Sequence, residues 1–484
     1  MSEVEIESLK AQLVSQPENA LTLYQIGMLL AFQKNYIDAL SYLEHAVTLE
    51  PNNPLFHNNF GNALKCSQQF ERAEQHYSKA LDLNPNYPQA HNNLGVLYYF
   101  QGKLLEAKKQ FEQALRYFPT YGDAHFNLAN TLAQINQLPY AVIHYKQCLT
   151  TQPNHLQAIH NLGVSLTALG CFEEAEPYLL QAITHDELNI EAHYHLGLIY
   201  ASTNRLAQAI EHYRLVTTQR PDHANAWHNL ATLLLHQNQR EAAQAAYQQA
   251  FTLDPNNITA KHMLDALVGN TAPEGAPREY VRALFDQYAP SYDDQVTHQL
   301  HYQVPHHLRT LVGKHAKNLT GLWKVADLGC GTGLCAPYFR DLSERLIGVD
   351  VSPKMLDMAS RRGGYDSLIV EDALHYLNTN YQHDLIIAAD VFVYFGELSS
   401  FFQSTQKSLK PGGYFTFSIE TLDPLNDSKD YQLHQTGRYA HHPDYITQIC
   451  QTQSWQCIAI ESLTLRTQSD QPVLGLVYLL RKIT

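Results

Sequence analysis

The 484-residue sequence has no run of about 18 apolar residues able to cross a bilayer. Its opening, Met-Ser-Glu-Val-Glu-Ile-Glu, lacks the basic and apolar regions of a signal peptide. Basic residues are in deficit: 33 Lys and Arg stand against 47 Asp and Glu, a formal charge of −14. Such a chain is not built to neutralise nucleic-acid phosphates. Cysteine is sparse, with seven residues (66, 148, 171, 330, 335, 450 and 457) and no C-x-x-C pair. That argues against a disulfide framework and against a zinc site, and it fits a reducing, cytoplasmic setting. The expected partners therefore include neither membrane nor nucleic acid, and no metal site is expected. What is present, 45% hydrophobic and 11% aromatic residues, suffices for real cores in a chain too long for one ordinary domain.

The first half repeats itself. A small residue recurs every 34 positions, at Gly27, Gly61, Gly95, Ala129, Gly163, Gly197 and Ala231. Twelve residues after each comes an alanine, from Ala39 to Ala243, and a proline closes most units (Pro51, Pro85, Pro119, Pro153, Pro221, Pro255), with Glu187 the exception. Small residues at fixed offsets let two antiparallel helices pack closely, and proline stops the second one. In this pattern the sequence resembles the tetratricopeptide repeat family over roughly residues 20–256. The resemblance implies an all-α superhelical solenoid of seven units, with helices near 3–16 and 258–267 capping its ends.

Two residues before each small position stand Gln25, Asn59, Asn93, Asn127, Asn161, His195 and Asn229. In the family this position lies on the first helix of each repeat, which lines the concave groove. A column of asparagines there offers paired donors and acceptors to an extended peptide backbone, and similar columns occur in protein O-GlcNAc transferases. Asn59, Asn93, Asn127, Asn161 and Asn229 are thus the candidate contacts for a protein or peptide partner. The same side chains are equally suited to bonding between helices. His57, His91, His125 and His193 recur two positions earlier, in a slot usually aromatic in this family.

A Pro- and Gly-rich break at 269–277 marks a domain boundary, giving an array over 1–268 and a second domain over 278–484. Helical patterns at 278–287 and 295–312 precede five apolar runs, at 324–328, 346–351, 368–371, 385–389 and 414–419, that alternate with helical patterns. Alternation of this kind predicts a parallel sheet with right-handed crossovers. Runs at 457–465 and 473–480, joined by a loop too short for a crossover, predict a final antiparallel pair.

Within that sheet, Asp327 ends the first strand and glycines follow at 329, 331 and 333, a tight turn into a helix. A dinucleotide fingerprint needs glycine at 334, where the chain has Leu334. Asp350 closes the second strand, Asp372 the third and Asp390 the fourth, before Leu409-Lys-Pro-Gly-Gly-Tyr414. These segments, "DLGCGTG", "GVDVSPKMLDMA", "EDAL", "AADVFVYF" and "LKPGGYF", together resemble the class I S-adenosylmethionine-dependent methyltransferases, with a Rossmann-like α/β fold of seven mostly parallel strands. "FDQYAPSYDDQV", "LHYQVPHHL" and "GRYAHHPDYI" further resemble bacterial methyltransferases that carry their own tetratricopeptide repeats.

The resemblance implies roles residue by residue. Gly329, Gly331 and Gly333 would pass beneath the methionine and ribose of S-adenosylmethionine, with Asp327 near its amino group or serving only the turn. Asp350 would hold the ribose hydroxyls, beside Ser352. Met355 would lie on the adenine or belong to the core, and Asp372 with Ala373 would contact the adenine edge. Tyr288 and Tyr292 would cover the sulfonium or pack as core, and Asp390 would begin the loop where donor and acceptor meet. Between the fifth strand and the next helix, Arg438, Tyr439 and His441 would orient an acidic acceptor or remove a proton, or else be surface residues. The function so implied is methyl transfer with the repeats recruiting a protein or peptide. Small-molecule methylation with the array used for assembly, and a scaffold without turnover, are the alternatives.

Overall fold

A computed structural model describes residues 2–269, 275–289, 292–294, 296, 300, 302–316, 322–422, 429–468 and 471–483. The central part of the expected linker, 270–274, and most of 295–301 lie outside the described residues. The chain divides into two compact units, Met1–Pro221 and Asp222–Thr484.

In the first unit, a helix Ser2–Ser15 precedes six helix pairs, from Ala20–Phe32 with Tyr36–Leu49 to Ile190–Ser202 with Leu206–Gln219. The 34-residue spacing has a direct steric cause. Each glycine of the column faces a large side chain sixteen positions on: a Cβ on Gly61 would lie 2.7 Å from the Tyr77 ring, and one on Gly197 2.6 Å from Tyr213. A second column is conformational. The turn inside each pair takes a left-handed residue at Lys34, Gln68, Gly102, Asn136, Gly170 and Asn204, the geometry that ends a helix.

The histidine slot closes on itself. His57 bonds the Pro51 carbonyl through Nε2 at 3.0 Å and meets His76 Nδ1 at 2.9 Å through Nδ1. A carbonyl only accepts, so His57 carries its proton on Nε2 and His76 supplies the other. His125 with His144 and His193 with His212 repeat the arrangement, while His91 uses Gln110. Burial, then the facing His57 ring, pushes His76 down to about 4.

The asparagine column also bonds inward. Asn59 donates to the Tyr24 hydroxyl at 2.6 Å, Asn93 to Asn58 Oδ1 at 2.9 Å, Asn127 to Asn92 Oδ1 at 2.9 Å and Asn161 to Asn130 Oδ1 at 2.9 Å. Each bond links one repeat to the one before it.

The second unit begins with the last helix pair, Ala224–His236 and Arg240–Leu253, and the closing helix Ile258–Val268. Helices Arg278–Tyr288 and Val304–His315 lead into the sheet. Its strands are β1 (Trp323–Leu328), β2 (Ser343–Asp350), β3 (Ser367–Val370), β4 (His383–Ala388), β5 (Leu409–Glu420), β8 (Trp455–Gln468) and β9 (Gln471–Lys482), with β6 (Tyr431–Leu433) and β7 (Tyr439–His441) forming a separate hairpin. The seven strands run in the order β3-β2-β1-β4-β5-β9-β8. Strands β1 to β5 pair in parallel, and β9 is antiparallel to both β5 and β8. One face is packed by Phe392, Phe401, Phe402, Phe415 and Phe417, the other by Val304, Leu308, Trp323 and Phe339. A parallel sheet covered on both faces reads as near-continuous apolar strands, and those were the legible runs. Among the described residues, no helix is long and apolar enough to cross a membrane.

Candidate active site

The carboxyl ends of the parallel strands open onto a cavity of about 220 Å³, where open α/β sheets bind ligands. Its lining includes Gly329 and Gly331 after β1, Asp350 at the end of β2, Asp372 and Ala373 after β3, and Asp390 after β4. Val281, Phe285 and Tyr292 come to it from the helical segment before the sheet, and Arg438 and Arg466 from the far side. Eight of the expected site residues thus meet at one place, Arg438 and seven others: Gly329, Gly331, Asp350, Asp372, Ala373, Asp390 and Tyr292.

At one end the loop after β1 is held open. Gly331 has φ +54° and no atom within 4 Å of where a Cβ would stand. Its N–H donates to Asp350 Oδ2 at 2.9 Å, and Ser352 N–H donates to Oδ1 at 2.8 Å. Burial raises the Asp350 carboxyl, and those N–H groups oppose the rise. Each carboxylate oxygen keeps a lone pair for a further donor. Asp372 caps the helix Ala373–Thr379, accepting from Leu374 and His375 N–H at 3.0 Å. Open space over Gly331 beside a carboxylate able to take hydroxyl donors fits the nucleoside half of S-adenosylmethionine.

The other end holds four charges. Arg438 donates through Nε to Glu420 Oε1 at 2.7 Å, through Nη2 to Asp390 Oδ2 at 2.9 Å and through Nη1 to the Tyr394 hydroxyl at 3.2 Å. Arg466 donates to Glu420 at 2.8 Å and stands 3.6 Å from Asp390. Burial alone would raise Glu420, but Arg438 and then Arg466 outweigh it and hold the carboxyl below its ordinary range. Asp390 adopts φ +61°, rare for a residue with a side chain, while its N–H donates to Ser418 Oγ at 2.8 Å. Such backbone strain costs about 1–3 kcal/mol and collects at functional sites. Its Oδ1 is buried without a hydrogen-bond partner among the described residues, on a residue that lines the cavity.

The remaining expected residues do not line the cavity. Tyr439 and His441 are wholly buried away from the cavity: Tyr439 packs on Ala266 and Leu433, and His441 Nε2 bonds the Gly396 carbonyl at 3.0 Å. Side chains alternate along a strand, so Arg438 and its neighbour Tyr439 face opposite ways. Burial holds His441 down to about 4, so the ring is neutral near pH 7 and its Nε2 proton is committed to the Gly396 carbonyl. Ser352 and Met355 are also fully buried: Ser352 Oγ caps the helix Pro353–Arg362 by accepting from Met355 N–H and donates to Asp286. Gly333 lies behind the lining, against Tyr365 and Ala359, and Tyr288 falls outside it. Asp327 is buried under Tyr365, which donates to Oδ2, and Oδ1 has no hydrogen-bond partner within ordinary geometry among the described residues. Burial pushes its carboxyl up to about 7.

Glu420, Arg466 and Tyr394 were not anticipated. An acid at the end of each earlier strand is a signal that should have extended to Glu420.

The chain matches the family model for a methyltransferase domain over residues 326–417 and tetratricopeptide repeat models over 20–53, 61–102, 88–121, 160–224 and 200–267. It is 28% identical over 160 residues to a malonyl-[acyl-carrier protein] O-methyltransferase of Yersinia pestis, covering 33% of this chain and 57% of that protein. To a ubiquinone biosynthesis O-methyltransferase of Bartonella tribocorum it is 30% identical over 95 residues, 19% of this chain and 38% of that protein. The chain thus spans little more than half the length of these relatives at most. Among solved structures, it is similar to MamA (41-end) of Desulfovibrio magneticus RS-1, at 19% identity and TM-score 0.33, covering 35% of this chain and 96% of that one. The chain is a tetratricopeptide repeat array fused to a methyltransferase domain with a Rossmann-like fold.

Proposed function

We propose that the chain transfers a methyl group from S-adenosylmethionine to an acceptor seated at the Arg438 end of the cavity, and that the repeat groove recruits the protein or peptide bearing it. The observation that carries this reading is one cavity with two chemically distinct ends: glycine backbone and the Asp350 and Asp372 carboxylates at one, the Arg438–Glu420–Arg466–Asp390 cluster at the other. When bound, the cofactor supplies the electrophilic methyl group. The protein's share is alignment and exclusion of water.

Asp350 and Gly331 hold the nucleoside end. Phe285, Tyr292 and Tyr394, whose rings contact one another through Phe285, wall the middle against water. Burial raises the Tyr292 and Tyr394 phenols, so they stay protonated near neutrality and act as donors. The Asp390 carboxylate accepts from a donor on the acceptor, and Arg438 fixes that carboxylate. Two similar relatives are O-methyltransferases by name, which favours an oxygen acceptor. A second reading, small-molecule methylation with the array used for assembly, draws support from the inter-repeat bonds that already occupy the asparagine amides.

The test is Asp350→Asn, which keeps the shape and one acceptor. Affinity for S-adenosylmethionine measured by calorimetry should fall roughly ten- to a hundredfold, as for loss of a charged hydrogen-bond acceptor, with the helical circular dichroism unchanged. Unaltered affinity would overturn the cofactor assignment.

A further inference from the structure

Arg438 sits one residue past the tip of the β6–β7 hairpin, and that tip is fastened to the closing helix of the repeats. Gly437 turns the chain at φ +76°, donating its N–H to His434 O at 2.9 Å, while His434 N–H donates to the Arg438 carbonyl at 2.8 Å. The Gly437 carbonyl in turn accepts from His262 Nε2 at 3.0 Å. His262 is 3% exposed, and its ring lies 4.5 Å from that of Tyr280, whose hydroxyl donates to Met263 Sδ at 3.6 Å. The seat has no slack: a Cβ on Gly437 would fall 2.8 Å from the Tyr280 hydroxyl and 3.0 Å from Met263 Sδ.

A second thread reaches the same guanidinium from the end of the linker. Ala276 N–H donates to the Tyr394 carbonyl at 2.8 Å, and a Cβ on Gly275 would lie 2.7 Å from that oxygen. Tyr394 lies under Arg438, whose guanidinium carbon is 5.4 Å from the ring centre and whose Nη1 donates to the hydroxyl. Ala266 on the closing helix packs with Leu433 and Tyr439, one from each strand of the hairpin. Helix, linker end and hairpin therefore converge on one side chain in the cavity.

We propose that His262 is a positioning residue for methyl transfer: through the Gly437 carbonyl, the closing helix of the repeat array sets the place of Arg438, and with it Asp390, at the acceptor end. This rests on reading the cavity as the methyl-transfer site. It gives the repeats a role inside the active site that is separate from any partner they recruit. Misplacement by an ångström at such a group costs up to about a hundredfold in rate.

The test uses the full chain labelled with 15N-arginine, the Arg438 Nε–H resonance being assigned by its loss in Arg438→Lys. His262→Ala should shift or broaden that resonance, and should slow methyl labelling of lysate proteins from methyl-labelled S-adenosylmethionine roughly ten- to a hundredfold. Cofactor affinity should stay within about twofold, because the Asp350 end is untouched. His262→Gln, whose side-chain N–H reaches the same carbonyl, should restore both readouts. An unmoved Arg438 resonance in folded His262→Ala overturns the proposal, and so does equal damage from His262→Gln, which would mark a purely structural contact. If the wild-type chain fails to bind S-adenosylmethionine, the proposed function falls instead, and the resonance comparison without cofactor still decides the role of His262.

Discussion

Replacing Glu420 by glutamine removes one charge from the four-charge cluster while nearly preserving shape. Glu420 is 9% exposed and accepts from both guanidiniums, at 2.7 Å from Arg438 and 2.8 Å from Arg466. The substitution leaves two buried cations facing Asp390 alone. Removing one partner of a buried ion pair costs about 3–5 kcal/mol, mostly from the charge left behind. Asp390 still bonds Arg438 and lies near Arg466, so the lower end, about 3 kcal/mol, is expected here. Chemical denaturation followed by tryptophan fluorescence reads it, because Trp323 and Trp455 both lie in the sheet. A companion, Glu420→Leu with Arg466→Met, removes one charge of each sign and leaves Arg438 paired with Asp390. It should recover at least half of the loss, since balanced apolar replacement of a buried pair is often neutral.

The pH dependence has a definite sign. Glu420 is held below its ordinary value in the folded state, so its contribution is full above the ordinary carboxylate range and disappears as pH falls through the depressed value. Wild type and Glu420→Gln should therefore differ most near neutrality and converge in acid. A cost under about 1 kcal/mol at pH 7, well short of a broken buried pair, would refute the reasoning. So would a double variant less stable than the single one.

Asp327→Asn tests the opposite sign. Burial raises that carboxyl to about 7, so the folded chain holds a proton that the unfolded chain has released, and stability falls as pH rises from the ordinary carboxylate range to about 7. The amide should raise the melting temperature at pH 8 and do little at pH 4; equal effects at both would contradict it. In the array, Asn93, Asn127 and Asn161 together replaced by alanine remove three inter-repeat bonds, at about 1 kcal/mol each. If these amides also meet a peptide, capture of labelled proteins should weaken beyond what the drop in stability explains, with cofactor affinity unchanged. Lower stability with intact capture favours the assembly reading.

What was legible in the chain is what repeats or what ends a strand. The 34-residue column shows itself because the same close approach, of Gly61 to Tyr77 or Gly197 to Tyr213, recurs at each glycine of the column. The acids at the strand ends show themselves because a parallel strand buried on both faces is otherwise apolar. Arg438, Tyr439 and His441 lie close in sequence, yet one strand sends them to opposite faces, a distinction that three residues of hairpin cannot announce. The same holds one level up for Arg466. Between it and Glu420 stands β9, where Glu420 pairs with Gly475. Thr464 pairs with Leu474 and Arg466 with Val473, so Leu465 is an extra residue in β8. A β-bulge of this kind redirects the side chains that follow it. Val473 and Gly475 are two apart and share a face, so the bulge puts Arg466 on the face of Glu420. Without it Arg466 would point to the other side of the sheet, and the cluster would have a single guanidinium for two carboxylates. Alternation of apolar residues predicts a strand, but the choice of charge partner here turns on one uncounted residue, Leu465.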